Sequence, residues 1–121
     1  MPHTKTGLLI SPDLFFTSKV TGTAQALGLR VEAFDNITMA ATRLASEDVA
    51  CVLFDLSAPR ASITDLFAAL PASTPIRVIA FGSHVNVELL AAAQAAGAEV
   101  MPRSQFASTL PDILKRQLGA S

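Results

Sequence analysis

Short β-branched apolar runs alternate five times along the chain with longer stretches rich in Ala and Leu. A parallel sheet wrapped by helices requires such alternation, because each strand must be followed by a crossover that returns over a face of the sheet. The runs predict strands at residues 7–10, 30–34, 49–56, 76–81 and 99–101. The third and fourth are nearly continuous apolar runs, as expected for strands covered on both faces, and so belong at the centre of the sheet.

Helix starts are marked by local chemistry. Ser11, Pro12 and Asp13 read as an N-cap, a first-turn proline and a carboxylate at the positive helix end, opening a helix that runs to about Gly28. Asp35 or Asn36 caps a second helix through Leu44, and Ser62 with Asp65 resembles a capping box for a third that ends before Pro71. Asn86 opens a fourth over residues 87–96, which Gly97 stops. The last helix carries Leu110, Ile113, Leu114 and Leu118 on one face. Its Pro111 has no N–H to donate and belongs in a first turn, which places the start near Ser108. The expected fold is α/β: a five-stranded parallel sheet with helices on both faces, formed by residues 1–121 as one domain with its core at about 6–118.

Composition narrows the function. With half of its 121 residues apolar, the chain can bury a core without disulfides or metal. Its one cysteine, Cys51, lies in an apolar run and reads as a buried inert thiol, which suits a reducing compartment. Nine basic residues against ten acidic ones give a net charge of -1, with no Lys/Arg stripe to track a phosphate backbone, so nucleic acid is not expected as a partner. Residues 1–6 lead into only four apolar or small residues, too few for a signal peptide, and no apolar run approaches membrane-spanning length. A cytoplasmic protein without a membrane partner is expected. No repeat or linker divides the chain, and it ends directly after the fifth helix, so the expectation is a stand-alone module.

In an open parallel sheet, loops at the carboxyl ends of the strands converge on one crevice. The residues there are 11–13, 55–59, 82–84 and Arg103. Asp55, closing the apolar run Val52-Leu53-Phe54, is the sharpest feature, because burying a carboxylate is costly unless it is paired. A hydrolase reading would draw on Asp55, His84 and Ser11, Ser57 or Ser83. It lacks a G-x-S-x-G elbow, and the neighbours Ser83 and His84 would point to opposite sides of an extended segment. His84 reads as a solvated loop residue and His3 as part of a free terminus. Neither G-x-G-x-x-G nor a Walker lysine is present, so nucleotide binding has no support and no enzyme is expected.

Three segments resemble the receiver domains of two-component response regulators, a flavodoxin-like (βα)5 family. Val52-Leu53-Phe54-Asp55 with Pro59 looks like the strand and loop that hold the phosphoacceptor aspartate. Val78 to His84 is similar to the fourth strand and its switch position. Ala96-Gly97-Ala98 followed by Met101-Pro102-Arg103 resembles the entry to the fifth strand and its lysine. The resemblance spans nearly all of residues 5–118. It implies Asp55 as phosphoacceptor candidate, Gly82 and Ser83 at the switch hydroxyl, and Arg103 at the lysine if one residue is missing before it, or Ser104 if none is. Val100 takes the place of the fifth strand's aromatic switch.

The departures carry equal weight. The family's Mg²⁺-binding acidic pair falls on Ser11 and Pro12, leaving Asp13 and Asp55 as weak metal candidates, with Asp13 also readable as a helix-end charge. The chain therefore resembles a degenerate, pseudo-receiver-like member that acts on other signalling proteins by contact. The alternative is a functional single-domain response regulator in a phosphorelay, phosphorylated on Asp55 by a histidine kinase or a small phosphodonor. Asp55 itself reads either as phosphoacceptor or as a carboxylate kept for an ion pair with Arg103.

Overall fold

The computed structural model describes residues 5–46, 48–57, 63–71, 76–83, 85 and 87–119. His3, Pro59, Ser62, His84 and Asn86, which entered the sequence reading, lie outside these residues. The strands are β1 (Thr6–Ile10), β2 (Arg30–Phe34), β3 (Val49–Asp55), β4 (Arg77–Gly82) and β5 (Glu99–Pro102). The helices are α1 (Leu14–Ala26), α2 (Ile37–Leu44), α3 (Ile63–Ala69), α4 (Val87–Ala96), α5 (Arg103–Ser108) and α6 (Leu110–Leu118). All strand pairs are parallel, in the order β2-β1-β3-β4-β5. The order reverses direction beside β1, and this switch point opens the crevice between β1 and β3 at their carboxyl ends.

Alternate residues of β1, β3, β4 and β5 serve two cores, because successive strand side chains point to opposite faces. Leu8, Ile10, Val52, Phe54, Val78 and Ala80 pack with Ala40 and Leu44 of α2, Leu66 of α3 and Ala93 of α4. Leu9, Cys51, Leu53, Ile79, Phe81 and Met101 pack with Phe16, Val20 and Ala24 of α1, Phe106 of α5 and Leu110, Ile113, Leu114 and Leu118 of α6. Cys51 is a free thiol in the second core, and burial pushes its pKa up to about 12. β1 is as fully buried as β3, a position its five-residue run did not announce.

Two expectations at helix ends change. The N-cap of α1 is Asp13, whose carboxylate accepts from the Phe16 N–H at 3.1 Å, so Pro12 lies outside the helix and Ser11 does not cap it. Ser11 is instead drawn to Asp55, a tertiary bond that local propensity does not reveal. Helix formation after β5 also begins at Arg103, not near Ser108. Thr109 interrupts it, its N–H and hydroxyl both donating to the Gln105 carbonyl, and α6 then starts with Pro111 in its first turn as expected. The segment α5 has Pro102 as its cap residue, with no side-chain cap bond, so it carries no start signal. Elsewhere Asn36 caps α2 by accepting from the Met39 N–H at 2.9 Å, and Gly97 ends α4 in the left-handed region with φ 114°. Among the described residues no helix is long and apolar enough to cross a membrane.

Candidate functional site

The carboxyl ends of β1, β3 and β5 deliver Ser11, Asp55 and Arg103 to one place. Asp55, the last residue of β3, is fully buried, and Arg103, the first residue of α5, spans the intervening strand β4 to reach it. The guanidinium carbon lies 4.9 Å from the Phe16 ring centroid and 5.3 Å from that of Phe81, within cation–π range of both. Phe106 stacks on Phe81 at 4.3 Å and packs against Phe16 at 5.6 Å, bracing the two rings that hold the arginine.

Every contact at Asp55 suits an ionised carboxylate. Its Oδ1 accepts from the Ser57 N–H at 2.9 Å and the Ser57 hydroxyl at 2.6 Å, and its Oδ2 accepts from the Ser11 hydroxyl at 2.8 Å. One guanidinium nitrogen, Nη2, donates to both carboxylate oxygens at 2.9 Å and also to the Ser57 hydroxyl at 2.9 Å. The contact is end-on through a single nitrogen; the two-nitrogen fork that Arg commonly presents to a carboxylate is not used here. Arg103 thereby acts much like a point cation centred between the two oxygens. Burial pushes the Asp55 carboxyl up, but the bonds from Ser57, Ser11 and Arg103 outweigh it and hold the pKa below the usual carboxylate range.

The remaining predicted residues fall around this centre unevenly. Asp13 flanks it, its Oδ2 3.8 Å from Nη1 of Arg103, while its other oxygen caps α1. Gly82 closes β4, and a Cβ there would meet Leu56 Cβ at 3.2 Å, so a side chain at the switch position would crowd Leu56. Ser83 turns to its own loop, its hydroxyl accepting from the Val85 N–H at 3.4 Å, and makes no hydrogen bond to Asp55 or Arg103. Val100 packs, partly buried, against the core on the α2–α4 face. Ser57, which the sequence offers only as a remote nucleophile candidate, makes two hydrogen bonds to Asp55, as many as Arg103 does; its position two residues after a strand-ending Asp is the signal. The Phe16–Phe81–Phe106 support was not foreseen, since the rings come from three separated elements.

An octahedral divalent ion would find a poor donor set here. Mg²⁺ requires oxygen ligands in near-ideal octahedral geometry, yet a cationic nitrogen already stands 2.9 Å from both Asp55 oxygens, and the second carboxylate, Asp13, lies 3.8 Å from another nitrogen of the same guanidinium. Among the described residues no three His, Cys, Asp or Glu side chains are grouped to hold a metal. A second polar network, at the amino end of the sheet, is structural: Arg43 donates to both oxygens of Glu32 and of Asp48, and Thr6 donates to Asp48 at 2.8 Å.

No family model matches the chain, and no curated protein matches it. Solved structures do. A response regulator signal receiver domain from Bermanella marisrubri superposes with a TM-score of 0.80 at 19% identity, over 94% of this chain and 98% of that one. Full-length FixJ from B. japonicum gives 0.79 at 18% identity over 96% of this chain, which spans only 58% of FixJ. The receiver domain of the sensor histidine kinase PA1611 from Pseudomonas aeruginosa, solved with magnesium in its active site cleft, gives 0.74 at 17% identity over 96% and 98%. The chain therefore has the flavodoxin-like fold of response regulator receiver domains.

Proposed function

We propose that this chain is a receiver-like signalling module that regulates other signalling proteins by contact, with phosphorylation of Asp55 lost or much reduced. One observation carries the reading: both oxygens of the buried Asp55 are taken up by Arg103, Ser11 and Ser57. Phosphoryl transfer to a carboxylate needs an oxygen free for in-line attack and cations placed on the transferring group. Here the cation is placed on the nucleophile instead. The pocket thus favours a resting carboxylate over a reacting one. The exposed Leu14 and Phe15, in the first turn of α1 beside Asp13, add apolar surface next to the crevice for a protein partner. No step of catalysis is ascribed to the module, and it is expected to work without Mg²⁺ in the cytoplasm.

Incubation with acetyl phosphate and Mg²⁺, followed by intact mass measurement, tests this. The expected result is no adduct. An added mass of roughly 80 Da, one phosphoryl group, that is lost in Asp55→Asn would overturn the proposal. It would favour the second reading, a functional phosphoacceptor. One feature supports that alternative: Asp13 and Asp55 flank the same guanidinium, so displacing Arg103 would leave two carboxylates facing one space.

A further inference from the structure

We infer that Arg103 is the built-in cation of this crevice and the residue that keeps divalent metal out of it. The inference deepens the reading above and rests on it in treating the space beside Asp55 as the crevice's cation position. Three observations on independent groups converge on Arg103. Its Nη2 bridges both Asp55 oxygens at 2.9 Å, the central place for any cation serving that carboxylate. Its Nη1 faces Asp13 Oδ2 at 3.8 Å, so the two carboxylates nearest the crevice are both turned towards one positive charge. Its guanidinium rests on Phe16 and Phe81, apolar faces that position it and leave its donors directed at the acidic groups.

Without Arg103 the same shell would be different in kind. Asp55, the free oxygen of Asp13 and the Ser11 hydroxyl would be left around the guanidinium's place without a cation among them, and oxygen donors of that kind suit a hydrated divalent ion held by one or two carboxylates. With Arg103 in place, an entering dication meets a fixed like charge and oxygens whose lone pairs are already engaged. Metal and arginine are therefore mutually exclusive occupants, and a single side chain sets the choice. Metal must displace the guanidinium to enter, so millimolar Mg²⁺ should leave the arrangement unchanged.

Titration of the full chain with Mn²⁺, read by paramagnetic broadening and calorimetry, tests the exclusion without any phosphodonor, so that its failure is separate from that of the phosphorylation reading. Wild-type protein should show no saturable binding up to millimolar Mn²⁺. Arg103→Ala should bind at least about tenfold more tightly, and adding Asp55→Asn should abolish the gain. Should the alanine variant fail to fold, Arg103→Gln, which keeps a polar, partly space-filling side chain and loses the charge, should show the same gain. Sub-millimolar, Asp55-dependent binding by the wild type, or folded Arg103 variants that bind no better than it, would overturn the inference.

Discussion

Replacing Asp55 and Arg103 singly and together measures how strongly the crevice is held. Asp55→Ala removes the acceptor of two hydroxyls, one backbone N–H and the guanidinium, and leaves Ser11, 2% exposed, with a stranded donor. Ser57 and Arg103, the latter 31% exposed, can turn to water, and the desolvation of the carboxylate is relieved. The net loss should be about 1 to 3 kcal/mol, the usual range when a buried partner disappears. Arg103→Ala is the harsher change, because it leaves a fully buried carboxylate without its counter-charge. Breaking a buried pair costs about 3 to 5 kcal/mol, and the serine donors that remain should reduce this to about 2 to 4. Neither charge is stranded in the double variant, so its loss should fall short of the sum by about 1 to 2 kcal/mol. Urea denaturation of the four proteins gives the coupling directly. Additivity within a few tenths of a kcal/mol would refute the pairing. Stabilisation by Asp55→Ala would do so too, and would mark Asp55 as a residue kept at a stability cost for chemistry.

Further expectations follow from other sites. Because the Asp55 pKa is depressed in the folded protein, the unfolded chain binds more protons in acid; its contribution is full above the ordinary value of about 3.9 and is lost as pH falls, so Asp55→Asn should flatten the fall in stability on acidification. Glu32 and Asp48, also held low by Arg43, add to the same acid loss and should remain in that variant. Arg43→Ala should cost about 1 kcal/mol in low salt and less in high salt, since its carboxylate partners are partly exposed and screened. Gly82→Ser, which restores a hydroxyl to the switch position, should destabilise by about 1 to 2 kcal/mol in urea, because the crowded neighbour is Leu56 Cβ, fixed to its backbone.

The sheet was legible because its signals are local and repeated. Apolar runs end within one or two residues of the observed strands, Gly97 marks the end of its helix, and of the two cap candidates Asp35 and Asn36 it is Asn36 that caps α2. Reading failed where a tertiary contact outbid a local one. Ser11 has the chemistry of an N-cap, but Asp55 takes its hydroxyl and leaves the cap to Asp13. Segment α5 was missed because it opens without a side-chain cap and is held by burial of Phe106, a property of the assembled core. At the site, the pairing of Asp55 with Arg103 could be reasoned from charge and strand order. The end-on geometry, the part played by Ser57 and the aromatic support could not, since they depend on side-chain positions across elements far apart in sequence.

The central claim, that Arg103 holds the place beside Asp55 against metal and phosphate alike, is tested most directly by crystallography with both competitors present. A crystal structure of the wild-type chain grown in excess Mg²⁺ and a beryllium fluoride phosphate analogue should retain Nη2 of Arg103 within hydrogen-bond distance of both Asp55 oxygens, with neither competitor in the crevice. A metal ion ligated by Asp55, or the analogue attached to its carboxylate with Arg103 swung aside, would contradict the account.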